Sequence, residues 1–338
     1  MSTTAAGDTL NEAPSREEQL RRAEVTDASG RLLAADGTPL KKSLARALRR
    51  QKLRALALVA PLLLFILLTF IAPIADMLFR SVENSIVPDT LPRTVEAIEG
   101  WDHGSGEAPG EDVFRALFFD LFLASEAKEH TALGTRLNYA TTGMSSMFRS
   151  IGRDLDDIGE VQMDAFEEIS PEWDEAGPWA RMMAAGPDRT GAVEIAEARR
   201  AALADLVDSD FEGSSDFVPA REIAELLPRT TEAYTDFALF TELVDEDSIG
   251  EEEPWEAVHT ALALDLRAPG AAEAIDAYEG PGGGLLRETV VRIDEVPPVE
   301  MKAAFLEAEE DWADTEVWAT IQRLSGAYTG SYFLTAMD

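Results

Sequence analysis

The amino-acid sequence predicts a mainly α-helical protein in which one membrane-spanning helix precedes a helical domain with little or no β-structure. Three observations lead to this prediction. One uncharged run lies at residues 55–75, apolar residues recur at helical spacing through most of the later chain, and strand-like alternation is rare. The chain has 338 residues, enough for one large domain or two ordinary ones.

The uncharged run is long enough to cross a membrane as a helix. Its only polar side chain is Thr69, and at a rise of ~1.5 Å per residue it spans about 31 Å, the thickness of the hydrocarbon layer. We therefore predict a transmembrane helix over residues 55–79. A cleaved signal peptide is the less favoured alternative, because a 54-residue segment precedes the run and the run is longer than a signal sequence needs.

The charges flanking the run predict its orientation. Residues 41–54 contain seven basic residues and no acidic one, whereas acidic and basic residues mix after the run. Cytoplasmic flanks carry the excess of Lys and Arg, so the N-terminus is predicted to be cytoplasmic. Residues 1–40 are then a disordered tail, residues 41–54 a basic segment on the membrane lipid, and residues 80–338 a periplasmic α-helical domain.

The chain is strongly acidic, with 64 Asp and Glu against 29 Lys and Arg and a net charge of −35. This balance argues against a nucleic-acid partner, since phosphate binding requires an excess of basic residues. Three explanations stay open: solubility in high salt, attraction of a cationic ligand, and disorder. All aromatic residues follow residue 54, which supplies a core and weighs against disorder. The even spread of the acids favours high-salt adaptation.

Apolar residues spaced three and four positions apart predict buried helix faces. The pattern is strongest after residue 110, at Val113, Phe114, Leu117, Phe118 and Leu121.

Local signals predict where several helices begin. The start near residue 92 has Pro92 in its first turn and Asp89 or Thr90 as its cap. The last helix is capped by Asp314 or Thr315. Its inward face consists of Val317, Trp318, Ile321 and Leu324. The best strand candidate, LLRETVVRID, follows a glycine-rich turn and fits a helix equally well.

A seven-residue segment occurs twice, as LPRTVEA at residues 91–97 and LPRTTEA at residues 227–233. Either the repeat is a relic of duplication, or two helix starts share similar chemistry. The second interpretation is preferred, because the sequence around the two segments shows no obvious further alignment.

No arrangement of residues predicts catalysis, a bound cofactor or a metal site, and the protein is predicted not to be an enzyme. His103, His130 and His259 are far apart in sequence and are expected at the surface or at helix caps. Residues 208–219 and 245–256 partly resemble calcium-binding loops, but each lacks an essential ligand position. The chain has no cysteine, which excludes disulfides and thiolate chemistry.

Three stretches resemble one known family, the bacterial ABC transporter permeases of the spermidine/putrescine type. They are APLLLFILLTFIAPIADMLFRSV, followed by LPRTVEAIEGWD; LGTRLNYATTGMSSMFRSIGRDL; and the C-terminal DWADTEVWATIQRLSGAYTGSYFLTAMD. The positions that match the family's final pattern are Trp318, Ile321, Arg323, Tyr328, Thr329, Tyr332, Leu334, Ala336 and Asp338.

The resemblance implies the N-terminal part of an inner-membrane importer for a small solute, polyamine-like in this family. It implies three protein partners: a second permease subunit, a cytoplasmic ATPase and a periplasmic solute-binding protein. Such permeases continue with further membrane helices and an ATPase-docking loop, which this sequence does not contain. A truncated frame, half of a split permease and an anchored remnant domain stay open. The alternatives are a stand-alone anchored binding or scaffold protein and a secreted hydrolase.

Overall fold

The structure, a computed structural model, describes residues 40–74, 85–187, 189–207, 209, 211 and 215–325. It divides the chain into two units, residues 1–82 and residues 83–338. The described residues are mainly helical, which confirms the predicted fold class. Extended pairing within them is limited to two isolated antiparallel bridges, between Ala184 and Pro219 and between Gly191 and Ala220.

The first unit contains one long helix. Helix α1 covers Leu40–Ile66, continues as a π-helix over Leu67–Ile71 and remains helical to Ile74. Within Leu48–Ile74 an 18-residue stretch has a mean hydropathy of 2.8 and is not buried by protein, so this helix is long and apolar enough to cross a membrane. The π-turn precedes Pro73, because the proline ring clashes with a tight preceding turn and lacks an N–H to close it.

The second unit begins with helices α2 to α7, interrupted by 3₁₀ turns at His103–Ser105 and Pro171–Trp173. The helices are α2 Ile86–Thr90, α3 Pro92–Ile98, α4 Glu111–Glu126, α5 His130–Asn138, α6 Met144–Ile169 and α7 Ala176–Met183.

Helix α8, Val193–Leu206, connects this part to a second series of helices. These are α9 Arg221–Leu226, α10 Pro228–Leu243, α11 Glu256–Leu266, α12 Ala271–Ala277, α13 Gly283–Val291, α14 Met301–Ala308 and α15 Thr315–Leu324. The turns Ile293–Glu295 and Glu310–Ala313 are 3₁₀.

The predicted apolar faces are confirmed. All five residues of the stripe on α4 are buried, as are the four inward-facing residues predicted on α15. The cap predicted at Asp314 is also confirmed, since its carboxylate accepts a hydrogen bond from the Glu316 N–H at 2.9 Å.

One local prediction is wrong, and one open alternative is decided. Helix α3 begins at Pro92 as predicted, but its cap residue is Leu91 rather than Asp89 or Thr90, and no side chain of the cap accepts a bond. The N–H of Thr94 bonds instead to a carboxylate 26 residues away. The segment LLRETVVRID, which fitted a strand or a helix, lies in α13 and the following 3₁₀ turn, with Leu286 buried.

The two series of helices are two copies of one unit, residues 85–183 and residues 221–324. The LPRT segments share six of seven residues and both begin a helix after a short preceding one. The next long helix matches too: EDVFRALFFDL in α4 and EAVHTALALDL in α11 are identical at six of eleven positions. The expectation that the sequence around the repeat does not align is therefore wrong.

The C-terminal part of each copy carries the same aromatic triplet. Phe166, Trp173 and Trp179 have the spacing of Phe305, Trp312 and Trp318. In both copies the second Trp indole N–H donates to the backbone carbonyl of the first Trp, at 2.7 Å and 2.8 Å. Both triplets pass from a helix through a 3₁₀ turn into a helix.

Each triplet packs on the other copy. Trp318 of the second copy contacts Phe114 on α4 of the first, with ring centroids 4.7 Å apart. Trp179 of the first copy contacts His259 on α11 of the second at 5.3 Å. Phe114 and His259 occupy equivalent positions in the two matched helices. The copies therefore exchange their C-terminal segments, and neither buries its own core alone.

This exchange predicts that the two copies complement each other as separate chains. Fragments 1–210 and 211–338, each made alone, should fail to show a cooperative thermal transition, whereas the co-expressed fragments should co-purify as a folded complex. Trp318→Ala in the second fragment should abolish co-purification, since removing a buried Trp costs about 3–5 kcal/mol.

Val291→Ala, at a residue that is 83% exposed, is the matched control and should leave the complex intact. A fragment that unfolds cooperatively without its partner would contradict the exchange. Circular dichroism melts and affinity co-purification provide the two measurements.

Candidate functional site

Each LPRT helix start is held by a buried aspartate from the following long helix. In the first copy the Asp120 Oδ2 accepts from the Thr94 N–H at 2.7 Å and from the Thr94 hydroxyl at 2.8 Å. In the second copy the Asp265 Oδ2 accepts both equivalent bonds from Thr230 at 2.8 Å. We call each Asp–Thr–Arg group a clasp: Asp120, Thr94 and Arg93 in the first copy, and Asp265, Thr230 and Arg229 in the second.

The arginine of each clasp pairs with the second oxygen of the same aspartate. Arg93 Nη1 lies 3.4 Å from Asp120 Oδ1, and Arg229 Nη1 lies 3.2 Å from Asp265 Oδ1. Burial raises the pKa of both aspartates, and the arginine and threonine donors oppose this shift in both. The donors thus satisfy carboxylates that would otherwise be costly to bury.

The first clasp is joined to the second copy by a buried ion network. Arg93 Nη2 donates to Asp236 Oδ2 at 2.6 Å, and Arg199 of α8 binds the same carboxylate through two bonds, at 2.5 and 2.9 Å. Burial would raise the pKa of Asp236, but the two guanidinium groups hold it below its usual value. Both terminal nitrogens of Arg93 are thus engaged by buried carboxylates, and its Nε lies 4.0 Å from Glu232.

A pocket of about 270 Å³ opens between the clasps. Its polar lining, here called the rim, consists of Arg93, Asp112, Arg115, Arg229 and Glu232. Its apolar lining, here called the floor, consists of Ala116, Phe119, Ala233 and Leu264. This floor comes from both copies, because Phe119 on α4 and Leu264 on α11 are equivalent positions, as are the two clasp arginines. The pocket therefore lies where the two copies meet, a common location for ligand sites.

The arginines of the rim differ in how many of their donors are engaged. The Arg229 side chain is 55% exposed, and within the described residues it makes one bond, to Asp265. Arg115 uses Nε on Glu111 and Nη2 on the Val299 carbonyl, leaving Nη1 without a described partner. The rim thus offers hydrogen-bond donors from two arginines.

The acids of the rim are also available. Glu232 is 51% exposed and lies 4.0 Å from Arg93 Nε, and neither it nor Asp112 makes a hydrogen bond with a described residue. Both carboxylates can accept hydrogen bonds from a ligand. Sequence reasoning had assigned no role to any residue of this rim; the repeated LPRT segment was the one signal that pointed toward it.

Acidic residues from four segments gather at a second place. Glu126 at the end of α4 faces Asp156, Glu256 and Asp245, with Lys128 nearby. Burial first, and then these three carboxylates, raise the pKa of Glu126 to about 7. In the described part of the chain, no group of three or more His, Asp or Glu side chains is arranged to hold a metal ion, and this cluster is no exception.

The three histidines differ in how deeply they are buried. His103 is exposed in a 3₁₀ turn, as predicted, and His130 is partly buried at the start of α5. His259 is buried, which makes the surface prediction wrong for it. Its ring nitrogens lie 3.1 Å and 3.0 Å from the carbonyls of Trp255 and Trp173, and burial lowers its pKa.

The two calcium-like loops give no metal site. Much of the segment 208–219 lies outside the described residues. The segment 245–256 forms an acidic connection between α10 and α11, and the described residues there are not arranged as metal ligands.

No protein-family model, no curated protein and no solved structure matches this chain. The resemblance to permeases therefore stays a prediction carried by its sequence motifs.

Because the two clasps have the same hydrogen bonds, replacing the threonine of either clasp should lower the free energy of unfolding by a similar amount. Thr94→Val and Thr230→Val each remove one hydroxyl bond to a buried carboxylate, so each should lower the free energy of unfolding by about 1–2 kcal/mol. Thr131→Val, at an exposed helical site, should change it by less than about 0.5 kcal/mol. Urea titration of the three variants measures this, and a neutral Thr230→Val would refute the proposed role of its clasp.

The Glu126 cluster predicts a pH-dependent stability. Because its pKa is higher in the folded than in the unfolded state, Glu126 stabilises the fold at pH below 4.5, and this contribution is lost as the pH rises through about 7. We therefore compare the free energy of unfolding of Glu126→Gln with that of the parent at each pH. This difference should favour the variant by about 1 kcal/mol more at pH 8 than at pH 4, a value reduced because the side chain is partly exposed to solvent.

The exposed Glu99→Gln is the control for this effect and should track the parent protein at both pH values. Denaturant titrations at constant ionic strength measure both variants. A Glu126→Gln variant whose stability relative to the parent does not change with pH would contradict the prediction.

Proposed function

We propose that this chain is the membrane-anchored N-terminal part of an ABC importer permease. Its duplicated helical domain would lie on the periplasmic side, where it contacts the solute-binding protein or covers the translocation path. The observation that carries the proposal is the combination, in one chain, of an unburied apolar helix, a basic flank and a large acidic helical domain. The permease-like motifs before and after that domain support the same assignment.

The proposed protein partners are those that an ABC importer permease requires. A second permease subunit and a cytoplasmic ATPase would complete the transporter, and the ATPase would supply the energy, so this chain itself needs no catalytic group. The solute is proposed to be polyamine-like. The acid excess is compatible with a small cationic solute, because a dense negative surface raises the local concentration of cations.

A second candidate is a stand-alone membrane-anchored binding or scaffold protein. The pocket between the two copies favours it, because ligand sites commonly lie between structural units and this one has uncommitted polar groups on its rim. The two candidates share the anchor and the orientation and differ in whether uptake depends on the chain.

The absence of cysteine permits a clean test of orientation. Tyr139→Cys, at a residue 82% exposed on the helical domain, should react with a membrane-impermeant maleimide in intact cells or, where there is an outer membrane, in spheroplasts. Ser15→Cys, before the basic segment, should react only after the inner membrane is permeabilised. Labelling of both before permeabilisation, or the reverse pattern, would contradict the proposed orientation.

Uptake measurements then separate the candidates. In cells lacking the gene, ATP-dependent uptake of radiolabelled spermidine and putrescine should fall to background and be restored by the full chain. A chain without residues 85–325 should not restore it. Unchanged uptake in the deletion strain, together with the expected labelling, would reject the permease assignment in favour of the stand-alone protein.

A further inference from the structure

The pocket between the two copies has a charge pattern that selects a type of ligand. Two arginines with unused donors, Arg115 and Arg229, share the rim with two acids, Asp112 and Glu232, that have unused acceptors. A purely cationic ligand such as a polyamine would meet the arginines of the rim. A purely anionic ligand would meet both acids in a domain with a large excess of negative charge.

The apolar floor of the pocket indicates that the ligand also has an apolar part. Phe119 and Leu264 offer partly exposed hydrophobic surface in the same pocket as the charged residues. The volume of about 270 Å³ lies just below the ~300–1,000 Å³ typical of ligand pockets, so the ligand is small. A molecule with one carboxylate, one ammonium and a short aliphatic body satisfies the rim and the floor together.

We infer that this pocket binds a small zwitterion with an aliphatic body, of the size of a free aliphatic amino acid. The carboxylate of the ligand accepts hydrogen bonds from Arg229 and Arg115. Its ammonium group donates to Glu232 and Asp112, and its aliphatic part packs on Phe119 and Leu264. Charge-assisted bonds of this kind are the strong ones, so both ends of the ligand contribute to selectivity.

The two copies differ at some of the charged residues that line the pocket, as expected if the site arose when the copies diverged. The equivalents of Asp112 and Arg115 on α11 are Ala257 and Thr260, so the first copy alone contributes this charged pair. The two clasp arginines also differ: Arg93 is held by Asp120 and Asp236, whereas Arg229 pairs with Asp265 alone and is 55% exposed. The clasp arginines and Glu232, which matches Glu96, recur in both copies, whereas Asp112 and Arg115 have uncharged equivalents.

This inference concerns binding by the chain itself and does not depend on the transport assignment. Its test uses the purified full chain in detergent and isothermal titration with four probes at neutral pH. They are L-leucine, its des-amino analogue 4-methylpentanoate, its decarboxylated analogue 3-methylbutylamine, and putrescine. L-leucine should bind, and each of the other three should bind at least tenfold more weakly.

Variants locate the binding. Glu232→Gln removes one partner of the ammonium group and should weaken leucine binding at least fivefold. Ala116→Phe fills the pocket without changing its charge and should abolish binding. The matched controls are Glu172→Gln and Ala277→Phe, at exposed positions that do not line the pocket, and both should bind as the parent does. A thermal melt verifies that each variant is folded.

Several results would overturn the inference. These are no heat from leucine beyond dilution at millimolar concentration, tighter binding of putrescine, equal binding of 4-methylpentanoate, and binding unaffected by both pocket variants. None of them bears on uptake in cells, so failure of this inference is distinguishable from failure of the permease proposal.

Discussion

A buried carboxylate that holds the start of another helix is the interaction on which the domain depends. Asp120 and Asp265 have almost no exposed surface, and each is satisfied by a threonine and an arginine from an LPRT segment. An unsatisfied buried carboxylate is far costlier than a paired one, so helix starts and aspartates must be placed together. This constraint fixes the angle and register of α3 on α4 and of α10 on α11, and the aromatic triplets pack onto those helix pairs.

The sequence predicts the helical class, the apolar helix and the buried faces, because each depends on local periodicity. It predicts the helix start at Pro92 but not its true acceptor, because Asp120 lies 26 residues from Thr94 and local capping rules do not reach that far. His259 was expected at the surface because its sequence neighbours say nothing of the Trp179 ring that covers it. The pocket could not be predicted, since its rim combines side chains more than a hundred residues apart.

The two copies also show which features of the domain are structural and which are free to change. The clasps, the aromatic triplets and six of eleven positions in the matched segments of α4 and α11 recur in both copies. Phe114 and His259 occupy the same place against a tryptophan, yet only the histidine needs a polar partner, and its ring nitrogens lie beside the backbone carbonyls of Trp255 and Trp173. Two of the five charged residues that line the pocket, Asp112 and Arg115, have uncharged equivalents in the other copy, so the duplication provides the framework and these two residues are specific to the first copy.

The exchange of C-terminal segments has a consequence for the order in which the domain can form. The apolar face of α4 is complete only when Trp318 packs on Phe114, about two hundred residues later in the chain. At synthesis rates of ~5–20 residues per second, Trp318 is made roughly 10–40 s after α4, and the apolar face of α4 is incomplete during that time. Contacts between residues so far apart in sequence also slow folding, because the entropy of closing the long intervening loop is lost before the contact forms. During this interval the nascent first copy exposes hydrophobic surface, which makes it a substrate for chaperones and proteases until the second copy has been made.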